Sequence, residues 1–546
     1  MAQATTMAGL LDQCTLHVEA LARALAAGVQ PRECWRSRQQ QCLQHTLCAM
    51  ARSSLRAAAA TPPDAPSGAV DANRRRAVRL FILLIQAVRP RQAPEQYRAW
   101  RRSSGPFVIT SAVASAMVAL LRSSTHNQLQ HQVCRAVLIA FANADNAKAL
   151  CRAGLLPVLV ALLAQRSSTA LLCQAVCGVL WMAAADHRGV HGEGVVAAGA
   201  LLHLVGAIVR FRTTRGVCET ACQALSTLVC GRTERREAVL AADGVAAALS
   251  VLREHGAVPQ GASACESACS LLINLMSHTV PCKQAVMWHG GVALLQQVLS
   301  HHATSPHTAA AACGALFNLA EVASVAIARS NALADAFVAA HQHGSQHLKV
   351  AHRACDLLRA VLLHGRKLWR DHPSTATKVT KLVQSPLVHR LFRTVWATAI
   401  TTRGAIQAGK SACQTMCILV QDGWCGVDET LLHRMATTLV ACAQHHAALP
   451  LTHAICNTLE VLCVYGNRAV TNALSLPQYI NVLQHRVPPH DCGDACTVAV
   501  LLHKLRAHAA RHTVQPQPQL HRARRAAPRR LKDWLRARMC KPSVHT

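Results

Sequence analysis

Apolar residues recur along this chain at helical spacing, in a short phrase that returns many times. In residues 268–275, ACSLLINL, a Cys is followed by apolar residues three and six positions later. Steps of three and four residues place side chains on one face of an α-helix, so each phrase predicts a helix with a buried stripe. The phrase begins at nine anchor cysteines: Cys134, Cys177, Cys222, Cys269, Cys313, Cys355, Cys413, Cys456 and Cys496.

The spacing of the anchor cysteines is nearly regular. Successive anchors lie 43, 45, 47, 44, 42, 58, 43 and 40 residues apart. A helical unit that repeats about every 40–47 residues is typical of an α-solenoid. One such unit cannot bury its apolar face alone, so neighbouring units must stack. The sequence therefore predicts an all-α repeat array, and we interpret the long 58-residue step as an insertion near residues 366–400.

A second pattern recurs at the same interval as the anchor cysteines. Gly154, Gly199, Gly244 and Gly290 each precede an apolar helical stretch, at steps of 45, 45 and 46 residues. Glycine has no Cβ and suits the left-handed conformation in which many helices end. Each repeat is therefore predicted to contain a long helix, a short connector, a glycine break and a further helix.

Together the two phrases resemble the armadillo repeat, whose third helix carries an Ala-x-x-x-Leu-x-Asn-Leu-Ala pattern and in which a Gly precedes the second helix. The best match is residues 312–320, ACGALFNLA. The resemblance covers residues 105–365 most closely, weakens toward residue 510 and is absent from the tail. It implies a right-handed α-solenoid of armadillo/HEAT-like helical repeats. It also implies a non-enzymatic scaffold that holds an extended or helical segment of a partner protein along a concave groove.

Composition shifts divide the chain around this array. Residues 1–60 are predicted to form an N-terminal helical cap, and the Pro-rich residues 61–76 a flexible linker. Residues 77–510 are predicted to hold the repeats, and residues 511–546 a basic tail.

The composition favours closely packed helices in a reducing compartment. Hydrophobic residues make up 51% of the chain and aromatic residues only 3%, so the core must consist of small and aliphatic side chains. Many of the 25 Cys fall on the repeat stripes, and the first residues lack the pattern of a secretory signal. We therefore expect free thiols and a cytoplasmic protein, associated with the cytoskeleton or nuclear as alternatives. No uncharged apolar run reaches 18 residues, so we expect no transmembrane helix and no lipid anchor.

The chain is strongly basic. It has 57 Lys and Arg against 26 Asp and Glu, for a formal net charge of +31. Such a charge favours acidic partners, for which the acidic tails of cytoskeletal filaments are a specific hypothesis. The alternative is an Arg-rich surface that is merely solvated. We expect the protein to be a monomer.

The basic tail contains a candidate binding helix. From Pro528 onward, apolar residues including Trp534 fall on one helical face and basic residues on the rest. Such a helix suits nucleic acid, an anionic membrane or an acidic protein, whereas the alternative is a disordered, solvated tail. The candidate binding residues are Arg529, Arg530, Lys532, Trp534, Arg536 and Arg538.

The groove can be compared with that of importin-α-like carriers, which grip basic peptides with a Trp one residue and an Asn five residues after the small anchor position. Here Trp never occupies the first position, and Asn occupies the fifth only at Asn274 and Asn318. A basic chain is also a poor receptor for basic peptides. We therefore disfavour an import receptor. Asn274 and Asn318 could bond an extended peptide, or could equally tie the groove's own helices together.

Residues 404–411, GAIQAGKS, satisfy the spacing of a phosphate-binding P-loop. Repeat phase places Lys410 and Ser411 inside the helix that carries Cys413, whereas a P-loop presents loop amides at the start of a helix. A nucleotide-binding enzyme is therefore only a remote alternative. Cys pairs four residues apart and the clustered His residues are interpreted as core packing and composition, so we expect no cofactor, metal or catalytic site.

Overall fold

The computed structural model describes residues 109–422, apart from residues 110, 125, 142, 186–189, 344–345 and 402–405, together with isolated positions between 436 and 505. The chain divides into two units, residues 1–426 and 427–546, and all helices given below belong to the first. The predicted cap, linker and basic tail lie outside the described residues. Within the described residues the regular structure is helical and contains no strand.

Nineteen α-helices and one 3-10 turn, Pro259–Gly261, cover the described part of the first unit. The helices are α1 Ser111–Ser123, α2 Asn127–Ala140, α3 Ala144–Arg152, α4 Leu155–Ala164, α5 Ala170–Ala184, α6 Val190–Ala197, α7 Ala200–Arg210, α8 Arg215–Val229, α9 Thr233–Ala241, α10 Gly244–His255, α11 Ala262–Met276, α12 Val280–Trp288, α13 Gly291–His301, α14 Pro306–Arg329, α15 Ala332–His343, α16 Leu348–Gly365, α17 Pro373–Val383, α18 Pro386–Thr401 and α19 Ile406–Gln421.

From α3 onward the helices fall into triplets of a short first helix, a second helix and a third helix. The triplets are α3–α5, α6–α8, α9–α11, then α12, α13 and most of α14, then the end of α14 with α15 and α16, and finally α17–α19; α1 and α2 precede them as an incomplete repeat. The third helices α2, α5, α8, α11, α14, α16 and α19 pack one against the next. The second helices α4, α7, α10, α13, α15 and α18 form a parallel layer. This arrangement is an armadillo-like all-α solenoid, as the sequence predicts.

Helix α14 serves two consecutive repeats. Ala323 has φ −127° and ψ 17°, which bends the helix and separates a third helix from the first helix of the next repeat. By length and composition alone α14 could cross a membrane, as could two bent pairs, α3 with α4 and α6 with α7, if each were one span. The sequence criterion missed α14 because Glu321 interrupts its uncharged run. Its apolar side chains are largely buried where α14 packs on α11, α13, α15 and α16.

The anchor cysteines lie in the core of the third helices. All seven anchors within residues 109–422 are buried and unpaired by disulfides, and so are their neighbours four residues away at Cys173, Cys218, Cys265 and Cys417. Burial raises the pKa of Cys218, Cys265 and Cys313 to about 12, so little thiolate is present near neutral pH. Within the described residues no cluster of His, Cys, Asp or Glu could hold a metal ion. The described anchor cysteines therefore pack as small side chains between the third helices.

Glycine ends the first helix of three repeats in the left-handed conformation. Gly154, Gly199 and Gly290 have φ of 84°, 81° and 73°, as the sequence predicts. The fourth repeat differs, because Asp243 takes the left-handed position with φ 57° and Gly244 begins α10. A Cβ at residue 244 would overlap Val239 of the preceding helix. Gly244 is therefore required by a close approach between helices, not by its backbone angle.

Residues 366–400, interpreted as an insertion, contain the first two helices of the last repeat. The connector between α16 and α17 has seven residues, 366–372, against three between α8 and α9. Helix α18 has 16 residues, whereas α7 has 11. Trp369 fixes the long connector, since its buried ring packs so closely on Gly365 that a Cβ there would overlap it. The surplus residues of the 58-residue step thus lengthen standard parts of the repeat.

Asparagine should distinguish the two kinds of glycine. Gly154→Ala should lower the free energy of unfolding by about 1–2 kcal/mol because of the left-handed φ, and Gly154→Asn should recover much of that loss, since Asn tolerates this region. Gly244→Ala should cost about 1–3 kcal/mol through overlap with Val239, and Gly244→Asn should recover none of it. Urea unfolding followed by circular dichroism measures all four variants. Recovery by Asn at residue 244 would contradict the packing argument.

Thiol labelling should separate surface from core cysteines. Cys230 is exposed just after α8, whereas Cys222 is buried and burial raises its pKa well above the ordinary value. Iodoacetamide at about pH 8 should therefore modify Cys230 long before Cys222, because alkylation needs an accessible thiolate. Peptide mass spectrometry after timed quenching gives both rates, and urea-unfolded protein is the control in which they converge. Equal rates in the folded protein would show that the third-helix layer opens readily.

Candidate functional site

The layer of third helices is the candidate binding surface. The position one residue after each anchor, which the armadillo resemblance places in the groove, is exposed or half-buried at four repeats. It is buried at three others, Gly178, Gly314 and Asp356. The four accessible residues are Arg135, Gln223, Ser270 and Gln414.

Asn274 and Asn318 connect neighbouring third helices. The Asn274 amide donates from Nδ2 to the backbone oxygen and the hydroxyl of Ser226, both at 2.9 Å. The Asn318 amide donates to the backbone oxygen of Ile273 at 3.0 Å. These bonds join α11 to α8 and α14 to α11, which is the second of the two alternatives that the sequence left open. Both side chains are still half-buried, and contact with a peptide stays a prediction.

The chemistry of the layer changes along the array. Trp181 on α5 and Phe317 on α14 are half-buried aromatic residues. Between them, Glu219 and Glu266 place carboxylates on α8 and α11. Beyond them, Arg359 of α16 lies with its guanidinium carbon 6.0 Å from the centre of the Phe317 ring, a cation–π contact. The surface therefore offers apolar, acidic and basic segments in succession.

Positive charge is concentrated in the last repeats of the described array. Residues 190–329 contain nine Lys or Arg against eight Asp or Glu, whereas residues 348–401 contain ten against two. The net charge of the whole chain therefore describes the central repeats poorly. By net charge alone, an acidic ligand would be attracted to α16–α18 more than to α6–α13.

A buried polar cluster joins α16 to α19. The Ser411 hydroxyl lies 2.9 Å from both His352 Nδ1 and Asp356 Oδ1, and Arg359 donates to Asp356 Oδ1 at 3.2 Å. Burial lowers the pKa of His352 and keeps it neutral at pH 7. A catalytic triad needs the imidazole to bridge the hydroxyl and the carboxylate. Here His352 does lie between the two groups, with Nε2 3.4 Å from Asp356 Oδ2. The hydroxyl nevertheless bonds the carboxylate directly and is buried away from any substrate, so the cluster is a clamp between helices.

The P-loop-like residues lie where repeat phase predicted. Lys410 and Ser411 are inside α19, and no strand precedes them in the part of the chain that the structure describes. Thr415, one turn further, donates to the backbone oxygen of Cys355 at 3.0 Å. Residues 406–411 therefore lie within a third helix and form no loop of backbone amides for a phosphate. The tail residues 529–538 lie outside the described residues, and their binding stays a prediction.

A row of basic side chains that sequence reasoning missed links the ends of the second helices. Each residue reaches back to a carbonyl oxygen of the preceding repeat, where helix ends leave such oxygens without partners. The contacts are Arg210 to Gln165 at 2.8 Å, His255 to Arg212 at 2.9 Å, His302 to His255 at 3.3 Å and His343 to Ala303 at 2.7 Å. A sequence signal existed, because these residues precede the anchors Cys222, Cys269, Cys313 and Cys355 by 12, 14, 11 and 12 positions.

Known proteins resemble this chain in structure. No protein-family model matches the chain, and no curated protein matches it. Two engineered proteins solved by the Northeast Structural Genomics Consortium are each 23% identical with a TM-score of 0.38, over 45% and 46% of this chain and 98% and 97% of their own. A designed armadillo repeat protein is 17% identical with a TM-score of 0.37, over 49% of this chain and 99% of its own. These are likenesses of fold.

The histidine at the end of α13 should support the array, while its neighbour should not. His302 is buried, so His302→Ala should lower the free energy of unfolding by about 1–3 kcal/mol by removing its bond to the His255 carbonyl and leaving a cavity. The carbonyl keeps the bond from the Val258 N–H at 3.2 Å. His301 is exposed and bonds within its own helix, so His301→Ala should change stability by less than about 0.5 kcal/mol. Urea unfolding compares the two variants. Equal losses of stability in the two variants would show that the bond between repeats contributes nothing to the stability of the array.

Proposed function

We propose that this chain is a non-enzymatic scaffold that holds a segment of a partner protein along its third-helix layer. The observation that carries the proposal is the unbroken stacking of third helices from α2 to α19. A surface of this kind lets one extended or helical segment contact several repeats at once. Trp181 and Phe317 supply the aromatic contacts that often dominate such binding. Gln223, Ser270 and Gln414 supply polar groups beside them.

The partner segment is proposed to be acidic where it meets the last repeats. Arg366, Lys367 and Arg370 are exposed in the connector after α16, and Arg366 pairs with Asp422. Exposed Lys381 and Arg390 extend the basic surface over α17 and α18. The acidic tails of cytoskeletal filaments have the matching charge and are our specific candidate, which makes the cytoplasm the expected compartment.

The surroundings of the two enzyme-like motifs support a binding role. Lys410 and Ser411 are held in a helix, and the hydroxyl of Ser411 is bonded to Asp356 and His352. A hydroxyl with these contacts stabilises the packing of α16 on α19. Nucleotide chemistry would need a loop of backbone amides directly before Lys410, whereas α19 already begins at Ile406.

A long side chain in the layer should block the partner. Ser270→Arg, at a half-buried position of α11, should reduce recovery of salt-resistant partner proteins several-fold by filling the surface between α8 and α14. Ala293→Arg, on the exposed side of α13 and outside the third-helix layer, adds the same charge and should leave recovery unchanged. Affinity purification with a graded salt wash and quantitative mass spectrometry compares both with the full chain.

Two outcomes would contradict the scaffold proposal. Equal recovery by the full chain and the Ser270→Arg variant would show that partners do not use the third-helix layer. A chain ending at residue 510 that recovers nothing would move the binding to the basic tail instead.

A further inference from the structure

The loops between second and third helices form one continuous edge of the array. We name this the loop edge, and it comprises each such loop with the last three residues of its second helix and the first three of its third helix: residues 121–129, 162–172, 208–217, 253–264, 299–308 and 341–350. Hydrogen bonds join each loop to the next. Besides the basic row given above, Asn127 donates to Ser167 O at 2.7 Å, Arg215 to Gln260 O at 2.8 Å and Thr308 to Ala262 O at 3.0 Å.

The loop edge collects basic residues and nearly excludes carboxylates. Among its described residues the one carboxylate is Glu254, which pairs with Arg212 at 3.4 Å. Against it stand seven Lys or Arg and eight His. The basic residues are Arg122, Arg166, Arg210, Arg212, Arg215, Arg253 and Lys349, and the histidines are His126, His255, His301, His302, His307, His341, His343 and His347.

The opposite edge, where third helices lead into first helices, is balanced. We count each connection together with the last three residues of its third helix and the first three of the following first helix. The described residues of this edge then hold four carboxylates against five Lys or Arg. Glu193, just inside α6, pairs with both Arg232 and Arg235 on this side. The charges of the two edges are therefore sorted, and the excess of cations belongs to the loop edge.

Part of the loop edge is fixed before any ligand arrives. Arg210 uses its guanidinium to bond Gln165 O and also lies 4.7 Å from the centre of the Phe211 ring. Arg215 is held by Gln260 O. Arg210 also donates to Leu163 O at 3.4 Å and to Cys173 Sγ at 2.9 Å. Both residues are exposed, so each guanidinium presents its charge to solvent in a set orientation. Binding of an anion there costs less side-chain entropy than binding to free arginines.

The surroundings of these cations favour an acidic polypeptide over other polyanions. Single exposed apolar side chains, Leu171, Val209 and Val258, stand between the cations, with exposed fractions of 62%, 49% and 41%. A bilayer needs a continuous apolar face, which this row does not present. Single-stranded nucleic acid needs stacking platforms, and Phe211 is the one Phe, Tyr or Trp among the described residues of the edge.

We infer that the loop edge binds an extended acidic polypeptide in which single apolar residues interrupt the carboxylates. The inference deepens the proposed scaffold function by giving the acidic part of a partner its own surface, beside the third-helix layer. Stacked helices are spaced by about 8–10 Å, and an extended chain advances about 3.3 Å per residue. About three residues therefore pass each loop, and about fifteen cross the edge.

The test is the binding of a fluorescent peptide of about fifteen residues, built from repeats of Glu-Glu-Leu, to the purified full chain at about 50 mM salt. The edge variant combines Arg166→Gln, Arg253→Gln and Lys349→Gln, all exposed residues. The control variant combines Lys148→Gln, Arg152→Gln and Arg232→Gln, which are also exposed but lie in or beside first helices, away from the loop edge and from the basic surface of α16–α18. The Kd from fluorescence anisotropy should rise about tenfold in the edge variant and less than about twofold in the control.

Three results would overturn the inference. Equal weakening in both variants would mean that the peptide senses only the net charge. Absence of binding to the unaltered chain would show that the loop edge is not a binding surface for acidic polypeptides. Stronger binding of a single-stranded oligonucleotide or of anionic vesicles, lost in the edge variant, would assign the edge to that partner instead. Ser270→Arg leaves the loop edge intact, so peptide binding that survives in this variant separates failure of the edge from failure of the third-helix layer.

Discussion

Close stacking of the third helices is the constraint on which the rest of the structure depends. Each third helix between α5 and α16 is covered by one third helix on either side, and its anchor Cys and the apolar residues three and six positions later are almost fully buried. Burying one large aliphatic side chain contributes about 1.5–3 kcal/mol. Small anchors such as Cys222 and Cys269 allow the helices to approach closely. A single repeat would expose both of these faces, so the array stabilises itself through its neighbours.

The stacking brings polar groups of neighbouring repeats into contact. These polar contacts fix how each third helix is aligned along the one before it. Asn318 in the third-helix layer and His302 at the loop edge each bond a carbonyl oxygen of the preceding repeat. The apolar stripes alone would tolerate some sliding, because Leu, Val and Ala pack in many ways. A buried donor has to meet its acceptor, and a shifted repeat would leave both unsatisfied. Several alignments of neighbouring helices would bury the apolar stripes, and the polar bonds therefore help to select one of them.

The sequence predicts what belongs to one repeat far better than what joins two repeats. Anchor cysteines and Gly154 could be predicted because helical periodicity and left-handed backbone are local properties. The contact of Ser411 with His352 and Asp356 spans 59 and 55 residues and depends on how α19 rotates against α16. Gly244 was placed correctly but for the wrong reason, since only the fold shows how near Val239 lies. The excess of basic residues on the loop edge could not be predicted either. Assigning a residue to one edge or the other requires the helix boundaries, which the sequence does not define closely enough.

The bend at Ala323 gives one joint of the array a distinct mechanical character. The described connectors between other repeats are loops, whereas the repeat of α12 and α13 and the repeat of α15 and α16 share the backbone of α14 with one non-helical residue between them. A loop of several residues can take up twist through many soft torsion angles, and a single bent residue can take up very little. Tension or torque applied along the array would therefore pass through this joint almost undiminished and be absorbed at its neighbours. The two repeats that share α14 behave as one stiff segment within a more compliant chain of units.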